Sequence, residues 1–138
     1  MPERREIGHR EARGLVAMVA DRLEANGQGA AVAVVDRHGE LVAFLRTDGC
    51  GLASINIAIN KAFTAARERV ESSVLGERSR TEGFPLTNFG DPRYTGWGGG
   101  VPIIVDGAVI GAIGVSGLPE ADDVELARWA AASLAAAG

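Results

Sequence analysis

Polar side chains recur at helical spacing inside the segment GLASINIAINKAFTAARERVE, residues 51–71. Asn60, Lys61 and Thr64 are neighbours on such a helix and are expected to face a ligand pocket together. Because an ammonium group pairs with carboxylates, Lys61 is a candidate substrate-binding residue. A lysine after an apolar run is also typical of a surface residue whose stem lies along apolar neighbours, and that alternative stays open.

A second polar group follows a predicted strand, in the segment LRTDGCG at residues 45–51. Arg46 is a further candidate for holding a carboxylate, and Asp48 is a candidate acid or base. Tyr94, in a later loop, is the other candidate for acid–base chemistry. The simpler alternatives are a salt bridge for Arg46 and turn formation for Asp48.

Glycine is concentrated in GWGGGVPIIVDG, where Gly98, Gly99 and Gly100 stand between a tryptophan and a predicted strand. Such a triplet lets the backbone approach a ligand or a neighbouring subunit with unobstructed N–H groups, and a bulge that starts the hairpin explains it equally well. The loop leading into the triplet carries four of the seven aromatic residues: Phe84, Phe89, Tyr94 and Trp97. This composition predicts one wall of an apolar pocket with the glycine turn at its base, or a segment that wraps a partner subunit.

Motifs for metal and phosphate binding are missing from the sequence. There is no HExxH, no CxxC and no P-loop, and the only two histidines, His9 and His38, are far apart. We expect His9 near the start of a helix, His38 in a solvated hairpin turn and Met18 in the core. The sequence therefore predicts no metal site built from protein ligands alone.

Composition places the chain among globular proteins. With 138 residues, of which 46% are hydrophobic and 23% charged, it is expected to form one domain over residues 1–138. A net charge of −4 argues against nucleic acid, whose phosphates need a basic surface. No apolar run reaches the roughly 18 residues of a membrane span, and the charged first fifteen residues do not read as a signal peptide. Together with the single Cys50, these features predict a cytoplasmic protein that binds no membrane.

Hydrophobic periodicity predicts the order helix, hairpin, helix, loop, hairpin, helix. The first helix is expected over 8–25, with six core residues: Ala12, Leu15, Val16, Val19, Ala20 and Leu23. Strands at 31–35 and 41–45 flank a DRHG turn, and their continuous apolar character predicts cover on both faces. The second helix is expected over 51–71, with a core stripe of Leu52, Ile55, Ile59, Ala62, Ala66 and Val70.

The second half of the chain contains the clearer hairpin. A short helix at 73–80 and a loop to about residue 98 precede strands at 101–105 and 108–116, which an Asp-Gly turn of type I′ joins. Gly111 and Gly114 within the last strand predict close packing there. The last helix is expected to open at Pro119 and to bury Val124, Ala127, Ala131 and Leu134.

Trp129 is expected to lie outside that last stripe. It is two residues from Ala127, about 200° around a helix, so we expect it to face away from the core and to mark a subunit contact. Two hairpins side by side make a small antiparallel sheet with helices on its faces, so the predicted fold class is α+β.

Several motifs in order carry a resemblance to a known family. The segment VVDRHGELVAFLRTDGCGLASINIAINKAFTAA, followed by GGGVPIIVDGAVIGAIGVSG, resembles the GlcG/HbpS family of haem-degrading domain proteins over residues 10–135. The recurrent motif positions are Arg46, Asp48, Lys61, Thr64, Gly98, Gly99, Gly100, Pro102 and Ser116. Two departures, Cys50 after the Asp-Gly pair and the charged run RERVESSVLGERS, alter the expected mouth of the pocket.

The resemblance implies a profilin-like sandwich and a homo-oligomer of four to eight subunits. Some members bind haem, which makes haem or a related tetrapyrrole the leading ligand. The residues expected to contact it are Thr64, Phe89, Trp97, Gly98, Gly99 and Gly100. The cations available for its propionates are Arg46, Lys61, Arg67 and Arg93. Thr64, Tyr94 and His38 are the candidate axial ligands.

Two other functions remain open at this point. One is a cofactor-independent enzyme of the isomerase or lyase type, acting on a small oxo- or hydroxy-acid. Lys61 or Arg46 would then hold the carboxylate, the glycine N–H groups would stabilise an oxyanion, and Asp48 or Tyr94 would move protons. The other is a non-catalytic subunit that supports another protein.

Overall fold

The computed structural model describes residues 5–137, which form a four-stranded antiparallel sheet between two layers of helices. The elements in chain order are α1 (His9–Ala25), β1 (Ala31–Asp36), β2 (Leu41–Arg46), α2 (Ala53–Glu68), α3 (Ser72–Glu82), a 3₁₀ turn (Leu86–Phe89), β3 (Gly100–Val105), β4 (Ala108–Ser116) and α4 (Glu120–Ala137). The α+β class and the order of elements are confirmed, including the short helix after α2. No helix among these residues is long and apolar enough to cross a membrane.

The sheet joins the two predicted hairpins through its central strands. Its order is β2-β1-β4-β3, and all three neighbouring pairs are antiparallel. The turn between β3 and β4 has positive φ angles of 51° at Asp106 and 78° at Gly107, as type I′ geometry requires. The predicted hairpin turn is therefore confirmed.

Side chains of different size alternate across β1 and separate two cores. Val32 and Val34 face the layer formed by α1 and α4, and Ala31 and Ala33 face α2. Because successive strand residues point to opposite faces, the small residues leave room for α2 to approach the sheet closely. All six residues predicted to form the buried face of α1 are buried, and Met18 packs beside them.

The prediction that both strands of the first hairpin are covered on both faces holds for β1 and is wrong for β2. The β2 strand lies at the edge of the sheet and pairs with β1 alone. Leu41 and Leu45 remain 48% and 39% exposed. Continuous apolar character does not separate an edge strand from a central one, because position in the sheet is set by distant pairing.

The predicted core stripe of α2 is only partly right. Ala62 and Ala66 are buried, but Leu52 is 77% exposed and precedes the helix. The buried residues instead form an almost continuous run: Ala58, Lys61, Ala62, Phe63, Thr64, Ala65 and Ala66. The sheet covers one side of α2, and α3 with the loop that carries Arg93 and Thr95 covers the other. Lys61 and Thr64, which were expected to face a ligand pocket, are therefore enclosed by these elements.

The outward orientation predicted for Trp129 is wrong. Its ring packs partly buried against the core between α1 and α4, and the Arg22 guanidinium lies 3.8 Å above the ring centroid. Such a cation–π contact covers one face of the indole ring, and the subunit contact expected at Trp129 stays a prediction. Of the predicted α4 stripe, Ala127 and Ala131 are buried, whereas Val124 and Leu134 are half-buried.

Candidate functional site

The ammonium group of Lys61 is buried in the middle of the molecule. Its side chain is 3% exposed, so the surface alternative from sequence is wrong. The Nζ atom donates to the Val115 carbonyl oxygen at 2.9 Å and to Asp123 Oδ2 at 3.0 Å. Lys61 therefore ties α2 to the end of β4 and to the first turn of α4.

Asp123 is the functional-site residue that the sequence did not indicate. Its position in the first turn of α4 is explained by the helix dipole, so the sequence offered no sign of an ion pair. Oδ1 accepts a hydrogen bond from the Leu118 N–H at 3.1 Å. Burial raises the pKa of the Asp123 carboxyl, and this effect outweighs the lowering by the Lys61 ammonium and the N–H donors.

A cavity of about 330 Å³ opens beside this ion pair. Its lining combines polar groups and apolar side chains: Ser54, Ile57, Lys61, Trp97, Ser116, Gly117, Leu118, Glu120 and Asp123. We call it the Lys61 cavity. Its size lies at the lower end of the range of about 300–1,000 Å³ that small-molecule pockets occupy.

The glycine triplet packs against helices. The Gly98 N–H donates to Glu120 Oε2 at 2.7 Å and the Gly100 N–H to Ser72 Oγ at 2.9 Å, so neither is free for a ligand. A Cβ atom on Gly100 would lie 2.1 Å from the Lys61 carbonyl oxygen. The expectation of unobstructed N–H groups is therefore corrected at these two positions, because the bare backbone is needed for close packing.

Other polar groups predicted on α2 are engaged within the chain or lie elsewhere. The Thr64 side chain is fully buried, and its Oγ1 accepts from the Thr95 N–H at 3.0 Å and donates to the Arg93 carbonyl at 3.4 Å. Asn60 is half-buried and is not among the residues that line the Lys61 cavity. Of the three, only Lys61 lines it.

The aromatic loop forms a cluster of its own. Phe89 stacks on Tyr94 at 4.5 Å between ring centroids, and Tyr94 meets the buried Phe63 edge-on at 5.3 Å. Phe84 lies 6.2 Å from Phe89. Trp97, 58% exposed, is the one member of the predicted wall that lines the Lys61 cavity. The loop thus divides its aromatic residues between a packed cluster and the cavity.

The Tyr94 hydroxyl donates to Glu68 Oε2 at 3.0 Å. Burial, and then this carboxylate, raise the pKa of Tyr94 above its ordinary value of 10.0. Since Tyr94 is the only tyrosine, alkaline titration followed by tyrosinate absorbance reports on one phenol. We expect a midpoint above 10.0 in the folded protein and a lower midpoint in Glu68→Gln. The associated stabilisation is present below the ordinary pKa and is lost as pH rises through the folded-state value.

Glu82→Gln is the matched control for that titration. Glu82 is an exposed carboxylate whose partner is Arg78, so its removal should leave the Tyr94 midpoint unchanged. A wild-type midpoint at or below 10.0 would contradict the buried contact with Glu68.

Arg46 and Asp48 lie apart from the Lys61 cavity. Both are exposed, and Asp48 lines a groove beside α1 together with Leu45 and Thr47. Tyr94 lines a third cavity. The four candidate catalytic residues are therefore not gathered around one cavity. Among residues 5–137, no three His, Cys, Asp or Glu side chains are grouped so that they could hold a metal ion.

A cavity rich in arginine lies at the β3–β4 turn, where the sequence predicted the turn and indicated His38 as a candidate axial ligand but predicted no cavity. It measures about 640 Å³, and its lining includes Arg5, Arg37, His38, Arg69, one carboxylate, Asp106, and the apolar edge residue Ile104. The Arg37 Nε atom is enclosed, forms no hydrogen bond among the described residues, and lies 3.9 Å from Glu6 Oε1. We call this the His38 cavity.

Comparisons with known proteins agree with this fold over nearly the whole chain. The family model for haem-degrading HbpS-like proteins matches residues 7–132. The GlcG protein of Escherichia coli K12 is 36% identical over 110 residues, which cover 80% of this chain and 81% of GlcG. A double mutant of HbpS from Streptomyces reticuli superposes with a TM-score of 0.85 at 32% identity, covering 97% of this chain and 90% of that one.

A second similar structure is a complex of PduOC with haem. It has a TM-score of 0.84 at 24% identity and covers 93% of this chain and 94% of that one, a likeness that bears on the fold alone. The family match and the identity to GlcG carry more weight, because both extend over most of the sequence. This chain belongs to the HbpS-like family.

Proposed function

We propose that this chain binds haem or a related tetrapyrrole in the His38 cavity and does so as a homo-oligomer. Membership of the HbpS-like family supports a small-ligand-binding protein, and a protein of the same fold forms a complex with haem. We assign haem to this cavity because its lining brings an imidazole together with three guanidinium groups. No other cavity described above has a histidine in its wall.

The chemistry of this lining fits a haem. A histidine nitrogen is a common axial ligand of haem iron, and the exposed His38 ring forms no hydrogen bond or ion pair among residues 5–137. Guanidinium groups pair with carboxylates, so Arg37 and Arg69 are suited to the two propionates. Ile104, 46% exposed, offers apolar contact to the porphyrin.

The cations expected from sequence are less available to propionates. Arg93 pairs with Asp91 at 3.0 Å and Glu40 at 2.9 Å, and Lys61 is held by Asp123. Arg67 donates to the His38 carbonyl oxygen at 2.5 Å, which holds the turn carrying the imidazole. Arg46 remains exposed at the end of β2. When bound, an iron porphyrin supplies a redox-active iron whose potential depends on the axial ligand.

Haem titration of the purified protein tests this proposal. We expect a saturable Soret band with one haem per subunit. His38→Ala should weaken binding at least about tenfold, equivalent to about 1.4 kcal/mol, because it removes the iron ligand. Light scattering on the same sample counts the subunits and tests the expected assembly of four to eight.

His9→Ala is the matched control, since His9 is the only other histidine and lies exposed at the start of α1. Thr64→Val and Tyr94→Phe test the other axial ligands considered from sequence. If either of these abolishes the Soret band while His38→Ala leaves it intact, the His38 cavity is not the haem site. Weak binding that does not saturate would overturn haem as the ligand altogether.

A cofactor-independent enzyme remains the alternative function. It requires an acid or base beside Lys61, and the groups foreseen for this role, Asp48 and Tyr94, line other cavities. The observation in its favour is a buried ammonium at the edge of a small cavity. Oxo-acid turnover by the wild type that Lys61→Met abolishes, with assembly intact, would support it.

A further inference from the structure

The Lys61 cavity contains polar groups with unused hydrogen-bonding capacity. An ammonium group has three N–H donors, and Lys61 uses one on the Val115 carbonyl and one on Asp123. Ser116 is 5% exposed, and its hydroxyl forms no hydrogen bond among the described residues. In that part of the chain, Arg37 Nε is the one fully enclosed side-chain polar atom lacking a partner. The Ser116 hydroxyl must therefore open into the cavity that Ser116 lines.

The N-terminus of α2 lies at the same cavity. Ser54 in its first turn and Ile57 in the next are both lining residues. This helix end has no side-chain cap and no acidic residue in its first turn. The Ser54 and Ile55 N–H groups donate to the Gly51 and Leu52 carbonyls at 3.1 and 3.2 Å, so the helix end offers a ligand the field of its dipole and not these N–H donors. The Ser54 and Ser116 hydroxyls, the spare Lys61 donor and the helix end together suit a carboxylate.

The wall formed by α4 has the opposite character. Glu120 lines the cavity, and the one hydrogen bond recorded for its carboxylate is accepted by Oε2 from the Gly98 N–H. A carboxylate has about four lone-pair sites, so capacity remains for a donor on a ligand. The lining contains two carboxylates, Glu120 and Asp123, and one ammonium group, Lys61, so its net charge is −1. A simple anion would be repelled by that charge, whereas a zwitterion would not.

We propose that the Lys61 cavity binds a small α-amino acid with an apolar side chain. Its carboxylate is bound by Ser116 and Lys61, near the positive end of the α2 dipole, and its ammonium group is bound by Glu120. Ile57, Leu118 and Trp97 are the apolar groups that contact the side chain. This site is separate from the His38 cavity and involves neither haem nor its proposed ligands.

Isothermal titration calorimetry with three ligands that share the same branched apolar side chain tests the proposal. The probes are L-valine, 2-hydroxy-3-methylbutanoate, which replaces the ammonium by a hydroxyl, and isobutylamine, which lacks the carboxylate. We expect saturable binding of valine and at least tenfold weaker binding of the other two. Trp97 fluorescence in a Trp129→Phe background should change at the same concentrations, because Trp97 lines the cavity.

Two variants locate the site and test the roles of its walls. Ser116→Ala should weaken valine binding about tenfold, since it removes one hydrogen bond to the carboxylate. Ser133→Ala, whose hydroxyl bonds the Ala130 carbonyl in α4, is the matched control and should not change affinity. Glu120→Gln keeps an acceptor for the Gly98 N–H and removes the charge. This substitution should lower the affinity for valine and reduce the ratio between the affinities for valine and for the hydroxy acid.

Several results would overturn the proposal. The hydroxy acid binding as tightly as valine would exclude recognition of the ammonium group. No saturable heat with valine, or an affinity that Ser116→Ala and Glu120→Gln leave unchanged, would exclude the site. Haem titration of Ser116→Ala keeps the two proposals distinguishable, because that variant should retain the Soret band.

Discussion

Replacement of Lys61 by methionine is expected to lower the free energy of unfolding by about 3–5 kcal/mol, the usual cost of breaking a buried ion pair. The substitution leaves the Asp123 carboxylate, 3% exposed, without its cation, and the Val115 carbonyl oxygen without its donor. Methionine fills nearly the same volume, so the loss is electrostatic more than steric. Urea or thermal denaturation at neutral pH measures the change.

The surface variant Arg80→Met serves as control. Arg80 pairs with Glu77 at 3.1 Å, but both side chains are about two-thirds exposed, and such pairs contribute about 0–1 kcal/mol. The double variant Lys61→Met with Asp123→Leu removes both charges. Its loss in free energy of unfolding should therefore be smaller than the sum of the losses in the two single variants. A Lys61→Met protein as stable as Arg80→Met would contradict the buried pair.

Gly114→Ala is expected to destabilise the fold by about 3 kcal/mol or more, beyond the usual range for overpacking. Its Cβ atom would lie 2.1 Å from the Ala58 carbonyl oxygen and 2.8 Å from the Ala62 nitrogen, and both belong to the backbone of α2. A side chain can rotate away from such a contact, whereas a helix backbone packed on a sheet cannot. The helix would have to move away from β4 and would carry Lys61 with it.

Gly14→Ala is the matched control in the same experiment. Gly14 is exposed on α1, and nothing lies within 4 Å of a Cβ atom at that position. Alanine there should stabilise the protein by about 0.5–1 kcal/mol, because glycine in a helix loses more backbone entropy on folding. If Gly114→Ala folds as stably as the wild type, the close packing of α2 on the sheet is wrong.

These two expected results share a cause in the size of the side chains on one face of the sheet. Ala31, Ala33 and Ala112 face α2, and Gly100 and Gly114 let the backbones of strand and helix come closer still. The close approach places the Lys61 stem between α2 and β4, where its ammonium reaches the Val115 carbonyl. The glycine triplet thus helps to position Lys61 at its cavity by allowing close packing, although two of its N–H groups donate to side chains within the chain.

Local patterns were sufficient to predict most elements of the fold. The apolar spacing of α1, the Asp-Gly turn and the glycines of β4 each depend on neighbouring residues, and each prediction was confirmed. Predictions that depended on sequence-distant partners failed more often. The β2 strand was predicted to be covered on both faces but lies at the sheet edge. Trp129 was predicted to face away from the core but packs under Arg22. Periodicity along one helix does not reveal which other elements cover it.

The candidate site residues likewise differ in how far the sequence alone could predict them. Lys61 was predictable as important, and it is also the only lysine in the chain. Its partner Asp123 is 62 residues away, and as an acid in a first helical turn it had a sufficient local explanation. The His38 cavity was harder to foresee, because His38 and Arg37 come from the first hairpin turn, Arg69 from the end of α2 and Ile104 from β3.

The helices, the hairpins and the family could thus be predicted from the sequence, since they follow from periodicity, turn chemistry and motif order over adjacent residues. Packing in three dimensions was needed to show that Lys61 is buried against Asp123, that the glycines contact helices, and that an imidazole and three arginines line one cavity. Each of these depends on the position of groups far apart in sequence. Their distances are set by how closely α2 packs on the sheet and how the two hairpins pair, which no local pattern encodes.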